Sequence, residues 1–106
     1  MDNEDIIRKL RFIIYGDNAW RVQARKDKHG KFYVLYDAHG QSVAEAKRNI
    51  RNIVNVVMIP IRIKIVHGFH NGTAIKDMLS EMDFGDKIAC IYSPKMNKGE
   101  TILRLS

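Results

Sequence analysis

Phe32-Tyr33-Val34-Leu35-Tyr36-Asp37-Ala38-His39-Gly40, followed by Gln41-Ser42-Val43-Ala44-Glu45, is the stretch whose reading decides the fold. Phe32 to Tyr36 is dense in β-formers and reads as a strand. Asp37 to Gly40 is a turn. Ser42 with Glu45 three residues on is a capping box, so a helix starts at once. The order recurs downstream. Ile61-Arg62-Ile63-Lys64-Ile65 alternates as a strand, Val66-His67-Gly68-Phe69-His70-Asn71-Gly72 is a second histidine–glycine turn, and a helix starts near Thr73. Two strands joined through a helix run parallel with a right-handed crossover, so both turns are expected on one edge of one sheet.

The remaining elements follow outward from this pair. Val43, Ala46, Ile50, Ile53, Val54 and Val57 run at helical spacing and Pro60 closes the segment, while Ala74, Ile75, Met78, Leu79 and Met82 mark a shorter helix. Asp83 to Asp86 is a loop. Ile88 to Tyr92 and Glu100 to Leu105 are strands that form an antiparallel hairpin through Pro94 to Gly99. Upstream, Asp5 to Tyr15 is an amphipathic helix with Asn3 as its cap and Gly16-Asp17-Asn18 as its end. Trp20 to Lys26 alternates as a half-buried strand with Trp20, Val22 and Ala24 inward, paired to Phe32–Tyr36 through the Lys28-His29-Gly30 turn. The fold class is α/β, an α+β two-layer sandwich. Its β-α-β-α-β-β core has a mixed four-stranded sheet with two helices on one face, and an N-terminal helix and strand extend it. Residues 1–30 are the extension and 31–106 the core domain.

The chain has 106 residues and a net charge of +6, which bounds it to one small domain and favours a polyanionic partner. Its single cysteine, Cys90, cannot make an internal disulfide and reads as a small buried hydrophobe; a cytoplasmic location is expected. Met1-Asp2-Asn3-Glu4-Asp5 is acidic and unlike a secretory signal. The longest apolar run, Ile53 to Ile59, is too short to span a bilayer, so no membrane partner is expected.

Asp37 and His39, two apart at a strand end, point to one side, and His67 ends the neighbouring strand. The three are expected to meet around a phosphate. The carboxylate orients an imidazole, and an imidazole serves as general base or acid near neutral pH. Gly40, Gly68, Gly72 and the amides leading into the helix at Thr73, with Asn71 and His70 in the same loop, form a candidate phosphate cradle. The alternative is that His39 and His67 cap their turns by hydrogen bonding. His67-x-x-His70 with His39 or Asp37 is a weak metal pattern. No cofactor is expected, with a divalent metal kept as the alternative. Arg62 and Lys64 project opposite the isoleucine face. Arg21, Arg25, Lys26, Lys28 and Lys31 surround the first hairpin, and Lys95 and Lys98 crown the last. Such residues track a nucleic-acid backbone without reading sequence, or form an ordinary solvated face. Phe69 in mid-loop either packs back or stacks on a base.

Asp37-Ala38-His39-Gly40 with Tyr36 before it, Ser42-Val43-Ala44-Glu45-Ala46, His67-Gly68-Phe69-His70-Asn71-Gly72 and the closing Gly99 to Leu105 resemble the Smr (small MutS-related) domain. That family carries L-D-x-H-G, S-V-x-E-A and H-G-x-G-x-G at the corresponding places. The resemblance runs from about Phe32 to the end. It implies a two-layer β-α-β-α-β-β fold, DNA or RNA as partner and endonuclease activity on phosphodiesters. Asp37, His39 and His67 would be the catalytic residues, and Gly40, Arg62, Lys64, Gly68, Phe69, His70, Asn71, Gly72 and Thr73 would hold the nucleic acid. A non-catalytic binding module or a ribosome-associated protein is the rival reading. Tyr36 stands in place of leucine in the first motif, and two departures matter: His70 replaces the middle glycine of the second motif, and Ile75 stands where many members carry arginine. A monomer or weak dimer is expected.

Overall fold

The computed structural model describes residues 3–13, 20–57, 59–68, 72–94 and 99–106. The elements follow the order α1 (Asn3–Ile13), β1 (Val22–Lys26), β2 (Phe32–Asp37), α2 (Val43–Val56), β3 (Arg62–Val66), α3 (Gly72–Glu81), β4 (Ile88–Tyr92) and β5 (Glu100–Leu105). The fold is the mixed α/β sandwich expected from the sequence, with one correction. The sheet has five strands, in the order β1-β2-β3-β5-β4, rather than four. The upstream strand is not an appendage: β1 pairs antiparallel with β2 over its whole length, from Val22 opposite Tyr36 to Lys26 opposite Phe32. Its turn dictates this. Asp27 Oδ1 accepts the amides of His29 at 2.8 Å and Lys31 at 2.9 Å, and Gly30 takes the φ of 76° that closes the turn. The Lys31 amide, with those of His29 and the Arg62 guanidinium, lowers the Asp27 pKa against an opposing effect of burial.

β2 and β3 are parallel, with Asp37 level with Val66; the β3–β5 and β4–β5 pairs are antiparallel. Val34, Ile63 and Leu103 share one row of the sheet, and Tyr36 and Ile65 share the next. All are buried in one core with Ile6 and Leu10 of α1, Ile50 and Ile53 of α2 and Ile75 and Leu79 of α3. α1 and β1 therefore share one core with the elements that follow. Ile6 and Leu10 are fully buried. At ~1.5–3 kcal/mol each, they contribute on the scale of a small domain's whole net stability.

The helices lie over this face. The open face opposite carries Arg25, Tyr33, Arg62 and Arg104 in one row, and Gln23, Leu35, Lys64 and Ile102 in the next; Arg25 and Arg104 are exposed on it, whereas Ile102 is buried among its neighbours. Arg62 and Lys64 thus project from the face expected for them.

Four local expectations differ. α1 already includes Asn3, and its expected end at Gly16–Asn18 lies outside the described residues. Trp20 is exposed in a turn ahead of β1, and Ala24 is exposed because α1 leaves a groove beside it, lined by Ile7, Arg8 and Arg11. Gly85–Lys87, which spans the end of the expected Asp83–Asp86 loop and the residue after it, forms a 3-10 turn. Cys90 is exposed, not buried: it sits on edge strand β4 opposite Arg104, on the face no helix covers. Among the described residues, no helix is long and apolar enough to cross a membrane.

Candidate functional site

The two histidine–glycine turns leave the same edge of the sheet, because β2 and β3 are parallel and end level with each other. The Ala38 amide donates to the Val66 carbonyl at 2.8 Å, extending the ladder past both strands. In the first turn the Gln41 amide donates to Ala38 O at 3.1 Å, and Gly40 has a φ of 80°. A methyl group there would meet nothing within 4 Å, so the glycine serves the backbone angle and not a close approach. α2 begins straight after, with the Ser42–Glu45 capping box formed in both directions. Glu45 accepts from the Ser42 hydroxyl and amide, and its carboxyl is held below the usual range by those bonds.

Beneath the turn lies a buried polar network. The Tyr36 hydroxyl donates to Gln41 Oε1 and accepts from Asn49 Nδ2 at 3.0 Å. A phenol carries its proton at neutral pH, and burial raises this one's pKa further. The hydroxyl ties the strand end to the turn and to α2.

Asp37 and His39 are joined. Asp37 Oδ1 contacts His39 Nδ1 and also accepts the His39 amide at 3.1 Å. A carboxylate only accepts, so Nδ1 carries the hydrogen and Nε2 is the ring nitrogen outside the pair. The His39 side chain is 60% exposed.

His67 does not join them, which corrects the expected three-way convergence. It is 3% exposed. Its Nδ1 lies 3.1 Å from the Gly68 carbonyl, and its Nε2 lies 2.8 Å from Thr101 Oγ1, itself buried. The carbonyl only accepts, so Nδ1 is the donor; in the neutral ring Nε2 then accepts from the threonine hydroxyl. Strand alternation is the cause. His67 is in phase with buried Ile63 and Ile65, whereas Asp37 and His39 alternate with buried Tyr36 and Ala38.

The phosphate cradle is also altered. Gly68 takes a φ of 79°, but its amide already donates to Gly99 O at 3.0 Å, as the His67 amide does at 2.9 Å. That leaves the backbone amides at the start of α3, from Gly72 and Thr73, as candidate anion donors. Phe69, His70 and Asn71 lie outside the described residues, as do Lys95 and Lys98. Among the described residues no group of three His, Cys, Asp or Glu side chains is placed to hold a metal ion. Ile75 is buried in the core. Arg62 is ion-paired with Asp27, Lys64 lies 3.8 Å from Glu100, and both cations rest against the Tyr33 ring.

Two residues expected elsewhere, Trp20 inward on the first strand and Arg21 among the cations of the first hairpin, stand beside His39. Arg21 Nη1 donates to the carbonyls of Asp37 at 3.0 Å and His39 at 2.8 Å. The guanidinium lies 4.7 Å from the Trp20 ring centroid, and the Trp20 and His39 rings meet at 6.3 Å with planes 65° apart. The interleaved charge in Trp20–Arg21 was the available signal. No family model matches the chain, and neither a curated protein nor a solved structure matches it.

Proposed function

We propose that this chain is an Smr-like nucleic-acid-binding domain whose Asp37–His39 pair cleaves phosphodiesters. The observation that carries the reading is that pair: an exposed imidazole whose Nδ1 is fixed by a carboxylate, on a sheet edge followed by two helix starts. The attacking oxygen, from water or a ribose 2′-hydroxyl, gives its proton to His39 Nε2 as it bonds to phosphorus. The bond from phosphorus to the leaving oxygen breaks, and that oxygen takes a proton from water. Asp37 stabilises the imidazolium formed. The amides at the start of α3 face the growing negative charge. His67 acts through the fold, holding the second turn against β5. The net charge of +6 supports a polyanionic partner.

A second reading, binding without cleavage, is favoured by the burial of His67, which takes one of the two turn imidazoles away from the edge. A nuclease assay on single-stranded, duplex and branched DNA and RNA, with and without chelator, separates the two. Cleavage by the parent that is lost in His39→Ala and Asp37→Asn, with binding kept, is the expected result. Binding with no cleavage of any substrate would establish the second reading.

A further inference from the structure

We propose that Trp20 is a stacking surface for an unpaired base, so that the nucleic acid taken at the His39 edge is single-stranded there. The inference rests on the nucleic-acid reading above and adds to it a recognition residue and a form of substrate.

Trp20 is the chain's only tryptophan, and 52% of it is exposed. Phe12, Val43, Ile91 and Tyr92 are the other large apolar side chains exposed among the described residues, and none of them is in ring contact with His39. Trp20 is also held in place. The Arg21 guanidinium lies against its ring and donates to the backbone of Asp37 and His39, which fastens the indole to the turn that carries the pair. The indole and imidazole planes, 65° apart, make a corner and not a closed stack. A nucleotide suits such a corner. Its base lies on the indole, and its phosphate, one sugar away, comes to the imidazole, with the Arg21 charge alongside. Every base has a π-face, so stacking is tolerant of sequence, but paired bases inside a duplex cannot offer theirs. The corner therefore selects for strand form and not for sequence.

A lone tryptophan makes the test direct, because the intrinsic fluorescence of the parent chain reports on Trp20 alone. The chain is titrated with an end-labelled single-stranded oligonucleotide, an abasic oligomer of the same length, and the duplex. Label anisotropy follows binding, and tryptophan emission follows stacking. The single strand should quench emission, and the abasic oligomer should bind without quenching. Trp20→Ala should weaken single-strand affinity about 5- to 150-fold. It should leave the salt dependence unchanged, since no phosphate contact is removed, and Trp20→Phe should recover most of the loss. Single-strand binding without quenching, with Trp20→Ala at parent affinity, would overturn the stacking role and leave the nucleic-acid reading standing. No anisotropy change with any oligomer would overturn both. The quenching arm uses the unaltered chain, so it decides even if a variant fails to fold.

Discussion

Replacing His67 by Leu and, separately, His39 by Ala should place the two histidines on opposite sides of a line between folding and the proposed chemistry. His67→Leu removes the 2.8 Å partner of Thr101 Oγ1, which is 3% exposed. A buried hydroxyl left unsatisfied costs about 1–3 kcal/mol. In a chain of 106 residues each kcal/mol moves the thermal midpoint by roughly 4–8 °C, so a fall of about 4–24 °C is expected. Adding Thr101→Val takes away the orphaned hydroxyl, and the double variant should be more stable than additivity allows, by about 0.5–3 kcal/mol. His39→Ala removes an exposed ring, and such changes stay within about 0.5 kcal/mol. Its midpoint should hold while cleavage of a labelled oligonucleotide disappears. The assays are thermal denaturation by circular dichroism and gel-resolved cleavage on the same preparations. A His67→Leu chain with the parent's midpoint but no cleavage would refute the reasoning, because His67 would then act on substrate and not on the fold.

Three other outcomes are expected. Tyr36→Phe should destabilise the chain by about 1–3 kcal/mol in urea denaturation, because Asn49 and Gln41 lose their shared buried hydroxyl. Ser42→Ala should cost ~1 kcal/mol. Because Ser42 lowers the Glu45 pKa in the folded state, the parent's stability from this group is present above the unfolded carboxyl value and lost as pH falls through the folded one; a denaturation series at acid pH should show a flatter profile in the variant. Arg25→Ala with Arg104→Ala, two exposed cations on the open face, should lower the slope of log affinity against log salt by about two. Arg62→Ala with Lys64→Ala should lower it less, since those cations already face Asp27 and Glu100; equal slopes for the two pairs would refute this.

The elements were legible because each carried a strong local signal. Ser42 and Glu45 marked the start of α2 to the residue, and the Ile61–Ile65 alternation marked β3. The five-strand sheet was implicit in the hairpin reading, for a strand paired to Phe32–Tyr36 necessarily joins the same sheet. What was not legible depends on registers between distant segments. Arg62 meets Asp27 across 35 positions, and no local pattern announces that pair. The exposure of Cys90 has the same origin: Ile88 to Tyr92 looks buried by composition, and only its place at the sheet edge leaves it bare.

The histidines were legible in part, and the missed step was a matter of parity. Ile61, Ile63 and Ile65 are inward by alternation, and counting on by two reaches His67. The same count from Val34 and Tyr36 reaches Ala38, which leaves Asp37 and His39 on the other side. Parallel register then sets Asp37 beside Val66 and not beside His67. Two motifs that look equivalent as text are therefore out of phase by one residue against their strands. That single residue sends one imidazole into the core to bond Thr101, and turns the other outward beside Trp20 and Arg21. Chemistry on a phosphate needs an imidazole nitrogen that solvent and substrate can reach. His39 keeps an exposed ring and His67 does not, and the companions of His39 come from the segment just before β1, outside the motifs.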